Sequence, residues 1–367
     1  MSTAVIYDEA FLRHKTPEGH PESPERLKAV LQFLKAHSLL DHPNVQVIQP
    51  RPAETKHILA AHTPEHLRDI QDAEKKAQTQ GIVALDEDTF VSDASYQTAM
   101  LAAGAGLTAI DSVLSGAAQN AFVLARPPGH HAEEDFAMGF CLFNNIAIAA
   151  KYAQQEHHIP KILIVDFDVH HGNGTQEIFY KDPSVAYFSM HQAPFYPGTG
   201  AYDEIGADEA EYTTCNAPVP AESLFELYDA VFREILFPFA DRFRPDLLLV
   251  SAGYDAHWKD PLANELLDTS SYAALTAYLK ELAETYCQGK MVFFLEGGYD
   301  LEALSESVAA SLCIMIEESV ITDTLGPPQS PGYRWNFDAV TDQLRAIQNL
   351  TGFRRKIRIP GPAPDDM

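Results

Sequence analysis

Apolar residues recur along this chain in short, nearly unbroken runs at Val5–Tyr7, Ala121–Leu124, Ile162–Val165, Val185–Ser189, Leu247–Val250 and Val292–Leu295. Strict alternation would mark strands with one wet face. Continuous runs suit strands buried on both faces of a parallel sheet. Between the runs the apolar period lengthens to that of a helix. Ser23-Pro24-Glu25 sets a cap residue, a first-turn proline and an early acid ahead of Leu27, Val30, Leu31 and Leu34, and Thr63-Pro64-Glu65 repeats this start signal. Further helices are predicted roughly over 93–114, 143–156, 223–240, 270–286 and 301–318. Strand and helix therefore alternate, which predicts an α/β fold with a central, mainly parallel β-sheet flanked by helices. The proline-rich stretches 194–197, 327–331 and 360–364 read as loops, the last of them within a loose tail.

Composition narrows the setting. With 367 residues, 46% of them hydrophobic, the chain can bury a large core, and it shows no internal repeat or low-complexity linker. Cys141, Cys215, Cys287 and Cys313 have no paired spacing, so they read as buried thiols in a reducing compartment. The start, MSTAVIYDEAFLRHK, lacks the basic-then-apolar pattern of a signal peptide, and no apolar run approaches the roughly 18 residues of a membrane span. These features lead us to expect a soluble, cytoplasmic protein with no membrane partner. The formal charge of −26, from 26 basic and 52 acidic residues, argues against direct nucleic-acid binding through phosphates. It fits either a solubilising surface or the steering of cationic substrates such as lysine-rich segments or polyamines.

Ligands of open α/β sheets bind at the carboxyl ends of strands, so the residues after each apolar run are candidates for chemistry. Arg126-Pro127-Pro128-Gly129-His130-His131 follows one run, and Asp166-Phe167-Asp168-Val169-His170-His171-Gly172-Asn173 follows another. Ser251-Ala252-Gly253-Tyr254-Asp255 and Glu296-Gly297-Gly298-Tyr299 follow two more. Asp168 and His170 lie two apart, so in an extended segment both would face one metal, and Asp166 shares their parity. Asp255 would add a third ligand from another strand end. One imidazole, two carboxylates and an open position form the pattern of a catalytic zinc site. A lone D-x-H is more often a salt bridge or loop cap; four loaded strand ends reverse that preference. His171, pointing away from His170, is expected to pack or to make a supporting bond.

The segments RPPGHHAEEDFAMGFCLFNN, DFDVHHGNGTQ, SAGYDAHWKDPL and EGGY resemble the active-site segments of the histone deacetylase superfamily, as HKTPEGHPESPERL resembles its N-terminal pattern. That superfamily includes bacterial deacetylase-like amidohydrolases and acetylpolyamine amidohydrolases. The resemblance covers about residues 5–320, and RPPGHHAE with Asn173 is similar to the class II branch. It implies a single catalytic domain over 1–367, with a core of about 5–320 and a C-terminal extension of about 321–367. It also implies one zinc per chain on Asp168, His170 and Asp255, with His131 as general base and then acid, and His130 as electrostatic support. Asp166 would bond His130, Asn173 would orient His131 where class I members carry Asp, and Tyr299 would donate to the oxyanion.

The same resemblance implies structural potassium at two places. One would use Asp166 with Ser189 and main-chain oxygens of Asp168, His170 and Met190; the other would use carbonyls near Phe179, Asp182 and Val185. Gly139-Phe140 and Phe195-Tyr196 resemble walls of an acyl-lysine tunnel, while Met138 reads more readily as core. Leu262 stands where a polyamine-selective branch carries an acidic gatekeeper, and Asp88 matches a rim acid that holds the substrate backbone. The expected activity is hydrolysis of N-acyl amides on lysine side chains. Hydrolysis of acetylpolyamines or other small amides, and a non-catalytic acyl-lysine binding module, stand as alternatives. A dimanganese enzyme of arginase type is disfavoured, since His130 and His131 occupy the space its extra carboxylates would need. Assembly into a homo-oligomer is left open.

Overall fold

We describe residues 2–333 and 336–350 from a computed structural model. The strands are β1 (Thr3–Ile6), β2 (Val45–Ile48), β3 (Val83–Ala84), β4 (Phe90–Val91), β5 (Asn120–Val123), β6 (Ile162–Asp166), β7 (Val185–Gln192), β8 (Thr214–Val219), β9 (Leu247–Ala252) and β10 (Met291–Leu295). Eight of them form one sheet in the order β2-β1-β5-β10-β9-β6-β7-β8, with every neighbouring pair parallel. All residues of β5, β6, β9 and β10 are buried, as continuous apolar runs require. β3 and β4 form a separate antiparallel hairpin.

The helices are α1 (Pro24–Ala36), α2 (Thr55–Ile58), α3 (Pro64–Gln80), α4 (Ser95–Leu114), α5 (Asn145–His157), α6 (Asn173–Phe179), α7 (Phe225–Val231), α8 (Phe237–Phe243), α9 (Thr269–Tyr286), α10 (Leu301–Ile316) and α11 (Phe337–Ile347). α7 runs into α8 through a π-helical turn at Phe232–Leu236. The start signals mark both helix starts, although Ser23 takes the N-cap position of α1 with no side-chain cap bond. Pro24 and Pro64 fall in the first turns of α1 and α3, and Thr63 caps α3 by accepting from the His66 amide at 3.2 Å. Among the described residues, no helix is long and apolar enough to cross a membrane.

The sheet order has one consequence for function. The four strands followed by chemically loaded segments, β5, β10, β9 and β6, are the four central neighbours of the sheet. Their registers align Leu295 with Ala252 and Asp166 with Ser251, so their carboxyl ends open side by side. One correction follows. β6 ends at Asp166, and residues 168–170 form a bend. The two-residue spacing of Asp168 and His170 therefore brings them together through a turn, not through strand alternation.

A buried charge cluster braces this end of the sheet. Glu22 is fully buried and receives two bonds from Arg126, one of them 2.6 Å from Nη2, while Arg26 of α1 lies 3.4 Å away. Burial raises the Glu22 carboxyl, but Arg126 outweighs it and holds the group down at about 2. Arg26 in turn donates to the carbonyls of Gly298 at 2.7 Å and Glu296 at 2.5 Å. The N-terminal helix is thereby fastened to the segment after β10.

Candidate metal centre and active site

Asp168, His170 and Asp255 converge so that one ligand atom from each lies within 4.8 Å of the others. Nδ1 of His170 is 3.2 Å from Asp168 Oδ1 and 3.1 Å from Asp255 Oδ2. Backbone amides fix both carboxylates: Gly297 donates to Asp168 at 2.8 Å and Val169 to Asp255 at 2.9 Å. Gly297 is required here, because a Cβ would come within 2.0 Å of Asp255 Oδ2 and 2.6 Å of Asp168 Oδ2. Burial opposes charge on His170, yet Asp168 and Asp255 bring the imidazole up to about 10. The field that draws a proton onto that ring would equally hold a divalent cation, so the donor set fits a metal. Phe195 stacks on the His170 ring at 5.2 Å and shields it.

The adjacent histidines sit in opposite surroundings. Nδ1 of His130 is 3.1 Å from Asp166 Oδ2, and its Nε2 is 3.9 Å from Asp168 Oδ2. Burial works against its charge, but Asp168 and Asp166 prevail and hold it at about 10. His131 has Nδ1 2.8 Å from Asn173 Oδ1, a neutral partner. Burial, reinforced by His130 and His170, keeps His131 well below its ordinary range. The two rings are thus pushed in opposite directions. Gly139 makes room for them: its φ is +56°, and a Cβ there would lie 2.3 Å from the His131 ring.

Tyr299 occupies the turn after Gly297-Gly298. Arg26 lies over its ring at 4.8 Å, Phe140 meets it edge-on at 5.7 Å, and Asp260 accepts from its amide at 2.6 Å. Tyr196 stands by His131, with ring centroids 5.3 Å apart, and is 38% exposed, which places it at the mouth. Burial and then Asp88 raise the Tyr196 hydroxyl, so Asp88 belongs to the same mouth. Asp88 is carried between β3 and β4. That loop is tied inward through Thr89, which bonds the Asp88 carboxylate at 3.0 Å and accepts from the Phe140 amide at 3.1 Å. Leu262 is half-buried, its amide bonded to Asp260 at 2.9 Å. Met138 is also half-buried and touches Asn173. His171 turns away towards Thr199 and Gln176, at 2.7 and 3.0 Å.

The residues expected around potassium divide into two places. Asp166 pairs across strands with Ser189, beside Met190, and accepts from the Asp168 amide and the Tyr187 hydroxyl, both at 3.1 Å. At the other place the Phe179 carbonyl accepts from Asp182 at 3.0 Å and the Asp182 carbonyl from Val185 at 3.2 Å. Lys151 already stands there, 2.8 Å from the Asp182 carboxylate.

Sequence reasoning missed several supports. Glu296, quoted only as the start of a motif, accepts from the amides of Gly129 and His130 at 2.7 and 3.2 Å. Asp260 couples the Leu262 loop to Tyr299, and Arg26 crosses the Tyr299 ring. Their signal was a charged residue inside a quoted motif with no role assigned to it.

Comparison with known proteins agrees with this geometry. The family model described as "Histone deacetylase domain" matches residues 20–315. Histone deacetylase 14, chloroplastic, of Arabidopsis thaliana is 39% identical over 335 residues, covering 88% of this chain and 79% of the relative. A histone deacetylase-like amidohydrolase of Pseudomonas aeruginosa is 37% identical over 282 residues, covering 77% and 73%. The crystal structure of the HDA15 HD domain superposes with a TM-score of 0.85 at 35% identity, over 95% of this chain and 94% of that one. The chain belongs to the histone deacetylase domain family, with an Asp-His-Asp candidate metal site.

Proposed function

We propose that the protein is a zinc-dependent amidohydrolase that cleaves N-acyl amides of lysine side chains. The observation that carries this reading is the meeting of the metal-ligand triad, the His130–Asp166 and His131–Asn173 pairs, and Tyr299 at four adjacent strand ends. Asp168, His170 and Asp255 would hold one zinc per chain, which would supply Lewis acidity and a water acidified towards neutrality. His131, neutral and bonded at Nδ1, offers Nε2 to take a proton from the attacking water and return it to the departing amine. His130, bonded at Nδ1 to Asp166, stabilises negative charge developing beside it. Tyr299 presents its hydroxyl to the oxyanion. Phe140 and Tyr196 flank an aliphatic stem and exclude water, with Gly139 admitting it close to His131.

One observation favours acetylated polyamines as a second reading. Asp88, Asp86 and Glu133 all act on Tyr196 at the mouth, an acidic setting that suits a cationic substrate. Leu262, in place of an acid, speaks against that selectivity. We further propose structural potassium at the Asp166–Ser189 and Phe179–Val185 positions.

The test is side-by-side turnover of an acetyl-lysine peptide, N-acetylputrescine and longer acyl amides, with metal analysis. We expect about one zinc per chain and highest kcat/KM on the peptide. A protein that binds acetyl-lysine but releases no acetate at any zinc loading would refute the enzymatic reading.

A further inference from the structure

We propose that Glu133 is a positioning residue for His131, acting through Asn173 by fixing which end of the Asn173 amide faces the imidazole. The kinetic part of this inference rests on the amidohydrolase reading above; the structural part does not.

Asn173, the first residue of α6, stands between two groups. Its Oδ1 is 2.8 Å from His131 Nδ1. Its Nδ2 faces three atoms: Glu133 Oε1 at 2.7 Å, Met138 Sδ at 3.2 Å and the His131 carbonyl at 3.5 Å. All three are acceptors, and a carboxylate can do nothing but accept. Turning the amide over would set its oxygen against these acceptors and its NH2 against the imidazole. The surroundings therefore select one orientation, with Glu133 making the shortest contact. With the amide oxygen towards His131, Nδ1 must be the protonated nitrogen. The lone pair is left on Nε2, where a general base needs it.

Glu133 is itself held in place. Its amide donates to the Phe136 carbonyl at 2.9 Å. Its carbonyl lies 2.8 Å from Nδ1 of His62, whose Nε2 accepts from the Asn144 amide at 2.8 Å. A backbone N–H can only donate, so His62 must carry its proton on Nδ1 and donate it to Glu133. Burial keeps His62 neutral, with its pKa lowered to about 3. The relay thus forms a closed loop. His131 donates to Asn173, Asn173 donates to Glu133, and Glu133 lies two residues beyond His131 in the chain. A carboxylate set one amide away imposes the tautomer without placing a full charge against the ring.

The test reads the tautomer directly, by 15N NMR of the full chain labelled at histidine, with the His131 signal assigned by its loss in His131→Gln. The wild type should show the Nδ1–H form. Glu133→Ala should populate Nε2–H and lower kcat for amide hydrolysis by roughly ten- to a hundredfold, with KM and zinc content unchanged. Should alanine unfold the loop, Glu133→Met, which keeps the stem and removes the acceptor, is read in its place. Glu133→Gln, which can still accept from Asn173, should retain the wild-type tautomer. Adding Asn173→Asp to Glu133→Ala should restore it, since a carboxylate then faces His131 directly. The inference is overturned if Glu133→Ala keeps the Nδ1–H form, or if activity falls with no change of tautomer. It is also overturned if Asn173→Asp fails to restore the double variant. A wild type inert towards every amide would sink the functional reading instead, and the NMR result would still decide this one.

Discussion

The floor and the mouth of the site are built by different means. The floor rests on four adjacent parallel strands, with Asp168 and Asp255 fully buried and each pinned by a backbone amide. The proposed mouth comprises a two-residue-per-strand hairpin carrying Asp88, the Phe195-Tyr196 loop and the Leu262 loop, all partly exposed. A pinned floor has one geometry and supports one reaction class. A mouth of loops can be rebuilt without disturbing the core, so under the proposed function substrate choice would reside there. Changes to the floor should abolish catalysis, and changes to the mouth should redirect it.

The largest effect should come from the floor. Asp255→Ala is expected to cost about ten-thousandfold in kcat/KM, equivalent to ~5 kcal/mol, with zinc content falling in parallel. Retained zinc with retained turnover would remove Asp255 from the ligand set. The brace beneath comes next, read as stability. Glu22→Gln leaves two buried arginines poorly compensated and should cost about 3–5 kcal/mol at pH 7. The sign of its pH dependence follows from the lowered pKa of about 2, against an ordinary value of 4.5. The Glu22 contribution is complete above about 4.5 and is lost as pH falls through about 2. The gap in denaturant stability between wild type and Glu22→Gln should therefore close over that window; a gap independent of pH would show that Glu22 does not act through its charge.

Tyr299→Phe should lower kcat by roughly two to three orders of magnitude, as for one lost oxyanion donor, with little change in melting temperature. The smallest effect belongs to the mouth. Leu262→Glu should shift the ratio of kcat/KM for acetylpolyamine over acetyl-lysine peptide by roughly two- to fivefold, the value of a partly exposed ion pair, with the summed activity preserved. A loss of all activity there would erase the distinction between floor and mouth.

Legibility in the sequence follows the same division. The central strands announced themselves because burial on both faces demands unbroken apolar runs, and each motif followed one of them. β2 and β8 escaped because they are edge strands. Val47 of β2 is 49% exposed, and β8 carries Asn216 and Pro218, which a sheet tolerates at its margin. The Asp168–His170 pairing was reached through an assumption of extended chain that the bend after Asp166 replaces. Asp260, Glu296 and Arg26 were invisible as supports because they act on backbone amides, carbonyls and a ring face far away in sequence. No periodicity records such contacts.

The bonds from Arg26 to Glu296 and Gly298 also set a timetable for synthesis. Their partners are separated by 270 and 272 positions in the chain, and Glu22 meets Arg126 across 104. At ribosomal rates of about 5–20 residues per second, Arg26 would wait roughly 14–54 s for the carbonyls it is to hold. For that interval the nascent N-terminal helix carries charges it cannot yet bury. The reaction centre is therefore among the last parts of the molecule to exist, finished only when β10 has emerged.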